Sequence, residues 1–321
     1  MILVTGATGF LGAELTKQLT SNGTKLRAIK REQSIVPPII AQNKQVEWFI
    51  ADINEPESLA DALEGITQVY HCAASVVFQQ SKKQELFNTN IQATANLVDL
   101  CVEKNIRLLH VSSVAALGKP KRGCLTNEKD FWEYDAQAQN YALSKYRGEM
   151  EVWRGIAEGL NAIIVNPSII IGKNAASSGS GALFKMVKNR NLFYTKGTNG
   201  FVDVQDVANC MIQLMNSDLQ AERYIINAAN LSYQELFNTA SEALQVAKPR
   251  IEAKTWMLEL AWRLGGLYTA LSGKTLGLTK EIARSSRNKC EYSNNKIVQT
   301  LQYTFKPIQE SIADSCLSLQ P

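Results

Sequence analysis

Three side chains in the first half of the chain have the types and spacing that proton transfer requires. Tyr141 and Lys145 lie four positions apart in a segment with a helical pattern, so their side chains project from one face. Ser113 follows an apolar, strand-like run earlier in the chain. A free phenol has a pKa near 10, and a neighbouring ammonium favours its ionised form. The three residues predict acid–base chemistry at a carbonyl or alcohol oxygen, which Ser113 would hold in place.

The spacing Tyr-x-x-x-Lys occurs twice, and the second occurrence is Tyr292 and Lys296. That pair lies in a polar stretch with no serine-ending strand before it. We therefore interpret Tyr292 and Lys296 as structural residues.

The first twelve residues combine a short apolar run with glycines at positions 6, 9 and 12, and a helical pattern follows. Glycine permits a tight turn, and the amides of a helix N-terminus attract phosphate, so this order of elements predicts a dinucleotide site. A flexible surface loop is the alternative. Because the apolar run begins at Met1, we expect no signal peptide.

The second predicted strand indicates which dinucleotide binds. Lys30 and Arg31 stand at its end, where an arginine accommodates the 2′-phosphate of NADP and an acidic residue would bind the ribose of NAD. Two cations beside a phosphate are favourable, so we expect NADP(H), with Arg31 as the main contact and NAD(H) as the second possibility. The alternative is a solvated strand end with Glu32 bonded to the ribose.

The ends of the next two predicted strands also face the expected cofactor. Asp52 and Ile53 would contact the adenine, although Asp52 could equally cap a turn. Small residues at Ala73 and Ala74 would let the backbone pass close to the cofactor, and a plain tight turn is the alternative there.

Apolar runs alternate with helical patterns along the first half of the chain. Strands are expected at 2–5, 26–29, 46–50, 68–72, 108–112 and 162–166, with helices at 13–20, 57–63, 86–103 and 141–157. This alternation predicts an α/β fold with a doubly wound parallel (Rossmann) sheet and a smaller, mostly helical C-terminal substrate lobe. The expected division is 1–170 and 171–321, with strands near 201–207 and 224–227 added to the sheet.

Composition excludes several classes of function. The net charge of the 321 residues is +4, without a basic run interleaved with aromatics, so nucleic-acid binding is not expected. Two histidines and six scattered cysteines predict no metal site, and free thiols predict a cytoplasmic protein. The apolar stretch 256–271 is too short and interrupted for a transmembrane segment, and a core or pocket helix is expected there. Contact with a bilayer or a lid over the substrate is the minor alternative.

The chain resembles the extended short-chain dehydrogenase/reductases of the NAD-dependent epimerase/dehydratase superfamily. The motifs that carry the resemblance are Thr5-Gly-x-x-Gly-x-x-Gly12, Asp52-Ile53, His71-x-Ala-Ala74, Asn90-Ile-Gln-Ala-Thr94, Ser113, Tyr141-x-x-x-Lys145 and Asn166-Pro-Ser168. The resemblance implies that Asn90 steadies the active-site helix and that Pro167 and Ser168 lie near the nicotinamide amide. It also implies a possible homodimer.

Position 199 helps to choose a branch of that family. Nucleotide-sugar epimerases and dehydratases carry an arginine there that grips the diphosphate, and this chain has Asn199. The following Phe-Val-Asp-Val is similar to the dihydroflavonol 4-reductase and 3β-hydroxysteroid dehydrogenase-like branch. The function expected is therefore NADP(H)-dependent reduction of a ketone or aldehyde in a partly apolar small molecule. The alternatives are an NAD-dependent nucleotide-sugar epimerase/dehydratase and a non-catalytic nucleotide-binding protein.

The candidate residues fall into three groups. Ser113, Tyr141 and Lys145 are the expected catalytic residues. The expected cofactor contacts are Gly6, Thr8, Gly9, Phe10, Leu11, Arg31, Asp52, Ile53, Ala73, Ala74, Asn90, Ser112, Tyr141, Lys145, Pro167 and Ser168. The expected substrate contacts are Ser75, Phe78, Ser113 and Asn166. Trp132, Trp256 and Trp262 fall in segments expected to border the cleft.

Overall fold

The computed structural model describes residues 1–76, 82–133, 139–175, 179–272 (266–272 as backbone), 283 and 285–319. The strands are β1 (Ile2–Thr5), β2 (Leu26–Lys30), β3 (Val46–Ile50), β4 (Gln68–His71), β5 (Arg107–Val111), β6 (Ala162–Pro167), β7 (Ile169–Ile171), β8 (Phe193–Tyr194), β9 (Thr198–Asp203), β10 (Glu222–Ile226), β11 (Ala229–Ser232) and β12 (Ile251–Glu252). The α-helices are α1 (Phe10–Ser21), α2 (Pro56–Ala62), α3 (Lys83–Phe87), α4 (Ala93–Glu103), α5 (Asn140–Ala157), α6 (Gly181–Lys188), α7 (Val204–Met215), α8 (Tyr233–Leu244), α9 (Thr255–Ser272), α10 (Asn295–Leu301) and α11 (Ile308–Leu317).

A seven-stranded parallel sheet forms the centre of the fold, in the order β10-β6-β5-β4-β1-β2-β3. The chain order reverses between β1 and β4, and ligands of doubly wound sheets bind outside the carboxyl ends of the strands at such a reversal. The predicted Rossmann fold is therefore confirmed.

Helices cover both faces of this sheet because its strands are apolar on both sides. On β1, Val4 packs with Leu15 of α1 in one cluster, while the adjacent Leu3 packs with Leu97 of α4 and Val152 of α5 in another. Successive residues of a strand point to opposite faces, so one apolar strand supplies two cores. These packed layers hold the carboxyl ends of the strands in fixed positions.

Two smaller sheets lie in the second half of the chain, with the orders β11-β9-β7 and β12-β8. The expectation of two late strands in the large sheet holds for β10. It is wrong for residues 201–207, because β9 joins the three-stranded sheet and ends at Asp203. The Asp203 carboxylate then accepts a hydrogen bond from Gln205 N at 2.8 Å and caps α7, which ends the strand. The proposed division into two domains stays a prediction.

A separate apolar cluster forms the core of the C-terminal part, with Phe184 of α6, Leu236 of α8 and Ile312 of α11 among its members. Within the described ranges, no helix combines the length and apolar character needed to cross a membrane.

Candidate active site

The three candidate catalytic residues meet where β5 ends against the start of α5. Ser113 follows β5 and caps a short 3₁₀ turn, where its hydroxyl oxygen accepts a hydrogen bond from Ala115 N at 3.1 Å. Tyr141 lies in the first turn of α5, and its hydroxyl forms a hydrogen bond with the Ser113 side chain. Lys145, one turn later, donates from Nζ to the Val111 carbonyl oxygen at 2.8 Å. The helix thus places the phenol beside the Ser113 hydroxyl and the ammonium against the end of β5.

The electrostatics of the phenol differ from the sequence-based expectation. Burial raises the pKa of Tyr141, and the hydrogen bond with Ser113 offsets only part of this effect. The ammonium of Lys145 is directed to a backbone carbonyl, and burial lowers its own pKa to about 8 against the attraction of Glu149 and Cys72. Tyr141 is therefore held in its protonated form, which is the form that donates a proton.

A buried ionic network, which the sequence analysis missed, holds the middle of α5 against the sheet. Glu149, fully buried, accepts hydrogen bonds from Ser112 Oγ at 2.6 Å and from Asn166 Nδ2 at 2.8 Å. Its other oxygen forms an ion pair with Arg223 of β10 at 3.0 Å. Glu149 follows Lys145 by four positions, and this helical spacing is the signal that could have identified it.

Asn90 connects α5 to the loop after β4. It lies in a π-helical turn, Asn88–Gln92, between α3 and α4. Its side chain accepts from Ser75 N at 2.7 Å and donates to Ser75 O at 3.0 Å and to Ser144 Oγ at 2.9 Å. The backbones are in close contact, since a Cβ at Gly148 would lie 2.2 Å from the Asn90 carbonyl oxygen. Asn90 thus supports α5, and it lies behind the cleft wall.

A chain of hydrogen bonds through His71 joins β1 to the π-helical turn. Thr5 Oγ1 accepts from Ala73 N at 3.2 Å and lies 2.7 Å from His71 Nδ1. On the other side, His71 Nε2 lies 3.2 Å from Thr94 Oγ1, which itself donates to the Asn90 carbonyl. Because Thr94 uses its hydroxyl proton for the Asn90 carbonyl, His71 Nε2 must donate to Thr94. Burial lowers the pKa of His71 to about 3, so the ring is neutral and Nδ1 accepts from Thr5. The histidine serves to position the loops.

The glycine turn after β1 has the geometry of a phosphate cradle. Gly6 has a φ of +69°, and a Cβ there would lie 2.6 Å from Ala73 N. A Cβ at Gly12 would lie 2.2 Å from the Gly6 carbonyl oxygen, so a larger residue cannot fit at either position without moving backbone. Helix α1 begins at Phe10 with no acidic residue in its first turn. The turn therefore fits a pyrophosphate at the N-terminus of a 12-residue helix.

The residues expected at the adenosine end lie at the carboxyl ends of β2 and β3. Arg31 directly follows β2 and is exposed, and it forms no ion pair with a carboxylate of the described residues. Asp52 Oδ1 accepts from Asn54 N at 2.9 Å, which is the turn-capping role left open above. Ile53, beside it, is partly buried against the cluster of α2 and α4.

A cleft of about 2370 Å³ runs from the glycine turn past the candidate catalytic residues to the C-terminal elements. It is lined by the expected residues Gly6, Thr8, Gly9, Phe10, Leu11, Ala74, Ser112, Ser113, Tyr141, Lys145, Pro167 and Ser168. The structure thus brings together most of the residues that were selected for the nicotinamide and phosphate ends.

Two of the expected substrate contacts, Asn166 and Ser75, are engaged in hydrogen bonds within the protein. Asn166 is fully buried, and its amide donates to the Ser113 carbonyl at 3.0 Å and to Glu149, so its expected contact with substrate is corrected to a supporting position. The backbone N–H and carbonyl of Ser75 both form hydrogen bonds with the Asn90 side chain. Phe78 lies outside the described residues.

The outer part of the cleft has many apolar side chains, and Lys119, Arg287 and Lys289 also line it. Large side chains line it from both halves of the chain, namely Leu117, Trp132, Leu183, Met186, Phe193, Tyr194, Tyr233, Phe237, Met257, Leu258 and Tyr292. The expected border role of α9 is met by Met257 and Leu258, whereas Trp256 is 64% exposed and Trp262 donates from Nε1 to Glu259.

Asn199 and the second tyrosine–lysine pair occupy the same region. Asn199 lines the cleft, and its Nδ2 lies 3.5 Å from the Tyr233 hydroxyl. Tyr292 precedes α10, while Lys296 points away to Glu222 and the Arg223 carbonyl. Tyr292 and Lys296 therefore share no helical face.

The fold and the glycine turn define the class of protein, and comparison with known proteins gives the family. The chain belongs to the NAD dependent epimerase/dehydratase family, whose profile matches residues 2–229. The resemblance found in the sequence is thus confirmed at the level of the family.

Among individual proteins, the chain is 30% identical over 252 residues to sterol demethylase protein B of Methylococcus capsulatus, covering 78% of this chain and 76% of that protein. It is 27% identical over 321 residues to the Synechocystis protein named "Putative dihydroflavonol 4-reductase", covering 97% and 92%. The crystal structure of gox2253 superposes with a TM-score of 0.84 at 28% identity, covering 99% of this chain and 97% of that chain.

Proposed function

We propose that the protein is an NADP(H)-dependent reductase that converts a ketone or aldehyde of a partly apolar small molecule into the alcohol. The observation that carries the proposal is the position of Ser113, Tyr141 and Lys145 in one cleft between the glycine turn and an apolar wall. A bound nicotinamide supplies the hydride.

The chain's own residues manage the proton and the substrate oxygen. Tyr141 donates its phenolic proton to the oxygen as the carbonyl becomes a hydroxyl, and burial supports this role by keeping the phenol protonated. The Ser113 hydroxyl holds the same oxygen by a hydrogen bond. The Lys145 ammonium stabilises the phenolate that remains, because opposite charges attract strongly in a buried site.

The preference for NADP(H) rests on Arg31. Its exposed guanidinium, without a carboxylate partner in the described part of the chain, is available to a 2′-phosphate beside the end of β2. The neighbouring Lys30 adds a second positive charge. The six cysteines are all free, which supports the cytoplasmic compartment expected from the sequence.

The family description supports a second candidate, an NAD-dependent nucleotide-sugar epimerase or dehydratase. Asn199 argues against it at this position, because an amide stands where an arginine would form two hydrogen bonds with the diphosphate; among the described residues, the cations that do line the cleft here are Arg287 and Lys289. Apolar side chains along the outer cleft also favour a less polar substrate.

Turnover assays distinguish the two candidates. Purified enzyme is mixed with NADPH and a panel of ketones and aldehydes, and separately with nucleotide sugars, and both absorbance at the nicotinamide band and product identity are followed. We expect NADPH oxidation with an apolar carbonyl compound. Tyr141→Phe should lower kcat by about 10²- to 10⁴-fold and leave NADPH affinity nearly unchanged.

Tyr146→Phe is the matched control on the same helix, because phenylalanine retains the stacking on Trp132 at 5.0 Å between ring centroids. A fully active Tyr141→Phe variant would refute the proton-donor role. Sugar isomerisation without net NADPH consumption would establish the second candidate instead.

A further inference from the structure

An apolar surface lies beside the mouth of the cleft on the C-terminal elements. Half of the fourteen large hydrophobic side chains that are exposed in the described residues belong to it. We define the α6–α9 surface by these seven residues: Met186, Leu192, Phe193, Ile251, Trp256, Leu260 and Leu264. Their exposed fractions range from 39% at Phe193 to 64% at Trp256.

Backbone contacts join the parts of this surface that lie on β8 and β12. Phe193 of β8 is the direct partner of Ile251 of β12, and Ile251 N donates to the Leu192 carbonyl at 2.9 Å. Helix α9 follows β12 immediately, and Trp256, Leu260 and Leu264 are spaced by four residues along it. That spacing places the three side chains on one face of the helix.

The charges around the α6–α9 surface are mainly positive. Residues 185–193 and 250–264 contain six cations, Lys185, Lys188, Arg190, Arg250, Lys254 and Arg263, and two carboxylates, Glu252 and Glu259. Glu252 is paired with Lys196 at 2.7 Å, and Glu259 lies 3.5 Å from Arg263. The excess of four positive charges in these two segments equals the net charge of the whole chain, +4. The other residues therefore have a net formal charge of zero.

We propose that the α6–α9 surface docks on an anionic lipid bilayer, with α9 lying in the interface between headgroups and acyl chains. Exposed tryptophan and leucine side chains suit the acyl chains of such an interface, and the neighbouring lysine and arginine side chains suit its anionic headgroups. A second copy of the chain is a poorer occupant, because a two-fold interface brings the same patch against itself and would oppose its cations. The proposal goes beyond the proposed reaction and does not depend on it.

The surface is also continuous with the cleft. Met186 and Phe193 belong to both, and Met257 and Leu258 line the cleft on the adjacent face of α9. A docked molecule would therefore present its apolar cleft wall next to the bilayer, where lipid-soluble compounds are concentrated.

Vesicle flotation of the full chain tests the proposal. We expect binding to vesicles of phosphatidylcholine with one-third phosphatidylglycerol, weak binding to pure phosphatidylcholine, and loss of binding as salt is raised. Arg250→Gln with Lys254→Gln should weaken binding about 25-fold, at about fivefold for each cation. Trp256→Ser with Leu260→Ser should weaken it at least as much. Ile35→Ser is the control, because Ile35 is 88% exposed and lies outside the surface.

Circular dichroism verifies that the variants fold. If Trp256→Ser with Leu260→Ser does not fold, the test of lipid binding rests on Arg250→Gln with Lys254→Gln alone. Equal flotation of wild type and charge variant, or no flotation of wild type, overturns the proposal. Light scattering without lipid tests whether a second copy of the chain occupies the surface. A wild-type dimer that becomes monomeric in Trp256→Ser with Leu260→Ser would assign the surface to a second copy and overturn the lipid assignment.

Discussion

Glu149 of α5 and Arg223 of β10 form an ion pair at 3.0 Å, with side chains that are 0% and 7% exposed. The carboxylate also accepts hydrogen bonds from Ser112 and Asn166, at the ends of β5 and β6, and from Trp153 Nε1 on its own helix at 3.3 Å. One side chain thus joins the candidate catalytic helix to three neighbouring strands of the sheet.

Replacing Glu149 should be costly for stability. Glu149→Gln leaves the Arg223 guanidinium buried without a counterion, so we expect the free energy of unfolding to fall by about 3–5 kcal/mol in urea titrations. The control is Glu151→Gln on the same helix, which loses only a surface ion pair with Arg154 and should cost under about 1 kcal/mol. Similar losses in the two variants would contradict the importance of the buried network.

The reduction rate should fall in alkaline solution. Burial lowers the pKa of Lys145 to about 8, so its ammonium is present below that pH and is lost as the pH rises through it. Tyr141 stays protonated over the same range, because burial raises its pKa. A profile of kcat/KM against pH should therefore be level below about 8 and decline above it. In Lys145→Arg the guanidinium stays charged, and the decline should vanish even if the rate is lower. A decline that persists in this variant assigns it to another group.

The choice between the two dinucleotides should depend on Arg31. Arg31→Asp removes the expected phosphate contact and adds a repelling charge, so the preference for NADPH over NADH should drop by about tenfold to a hundredfold. Isothermal titration with each dinucleotide measures the ratio. Lys25→Asp makes the same charge change just before the opposite end of β2 and should leave the ratio unaltered. An unaltered ratio in Arg31→Asp means that a different residue reads the phosphate.

The glycine turn should tolerate added methyl groups according to the space at each position. A Cβ at Gly12 would lie 2.2 Å from the Gly6 carbonyl oxygen, whereas a Cβ at Gly9 would lie 3.2 Å from the same atom. Gly12→Ala should therefore lower the free energy of unfolding by about 1–3 kcal/mol and weaken dinucleotide binding, and Gly9→Ala should have the smaller effect on both. Thermal unfolding with and without NADPH gives both quantities. The reverse order of severity would mean that the turn rearranges.

The first half of the fold could be predicted from local sequence patterns. Apolar runs and glycine spacings can be recognised within a short window of sequence, so β1 to β6 and the turn before α1 could be predicted. Ser113, Tyr141 and Lys145 were accessible because a strand end and a helix turn position them.

Features that depend on distant parts of the chain were not accessible. Arg223 meets Glu149 across 74 positions. Strand β9 pairs with β7 and β11 in a separate sheet, and the residues of β9 alone do not show which strands it pairs with. Asn166 looked like a substrate contact because it ends a strand beside Ser113, but the approach of Glu149 buries it. The pKa of Tyr141 likewise follows from burial, which neighbouring residues in sequence do not report.

The π-helical turn Asn88–Gln92 inserts one extra residue per turn at the point where Asn90 reaches Ser75 and Ser144. Deleting a residue from this turn would rotate Asn90 away from both partners while α4 keeps its own register against the sheet. Chain length is thus constrained at this turn, because a shift of Asn90 would release both the loop after β4 and the start of α5.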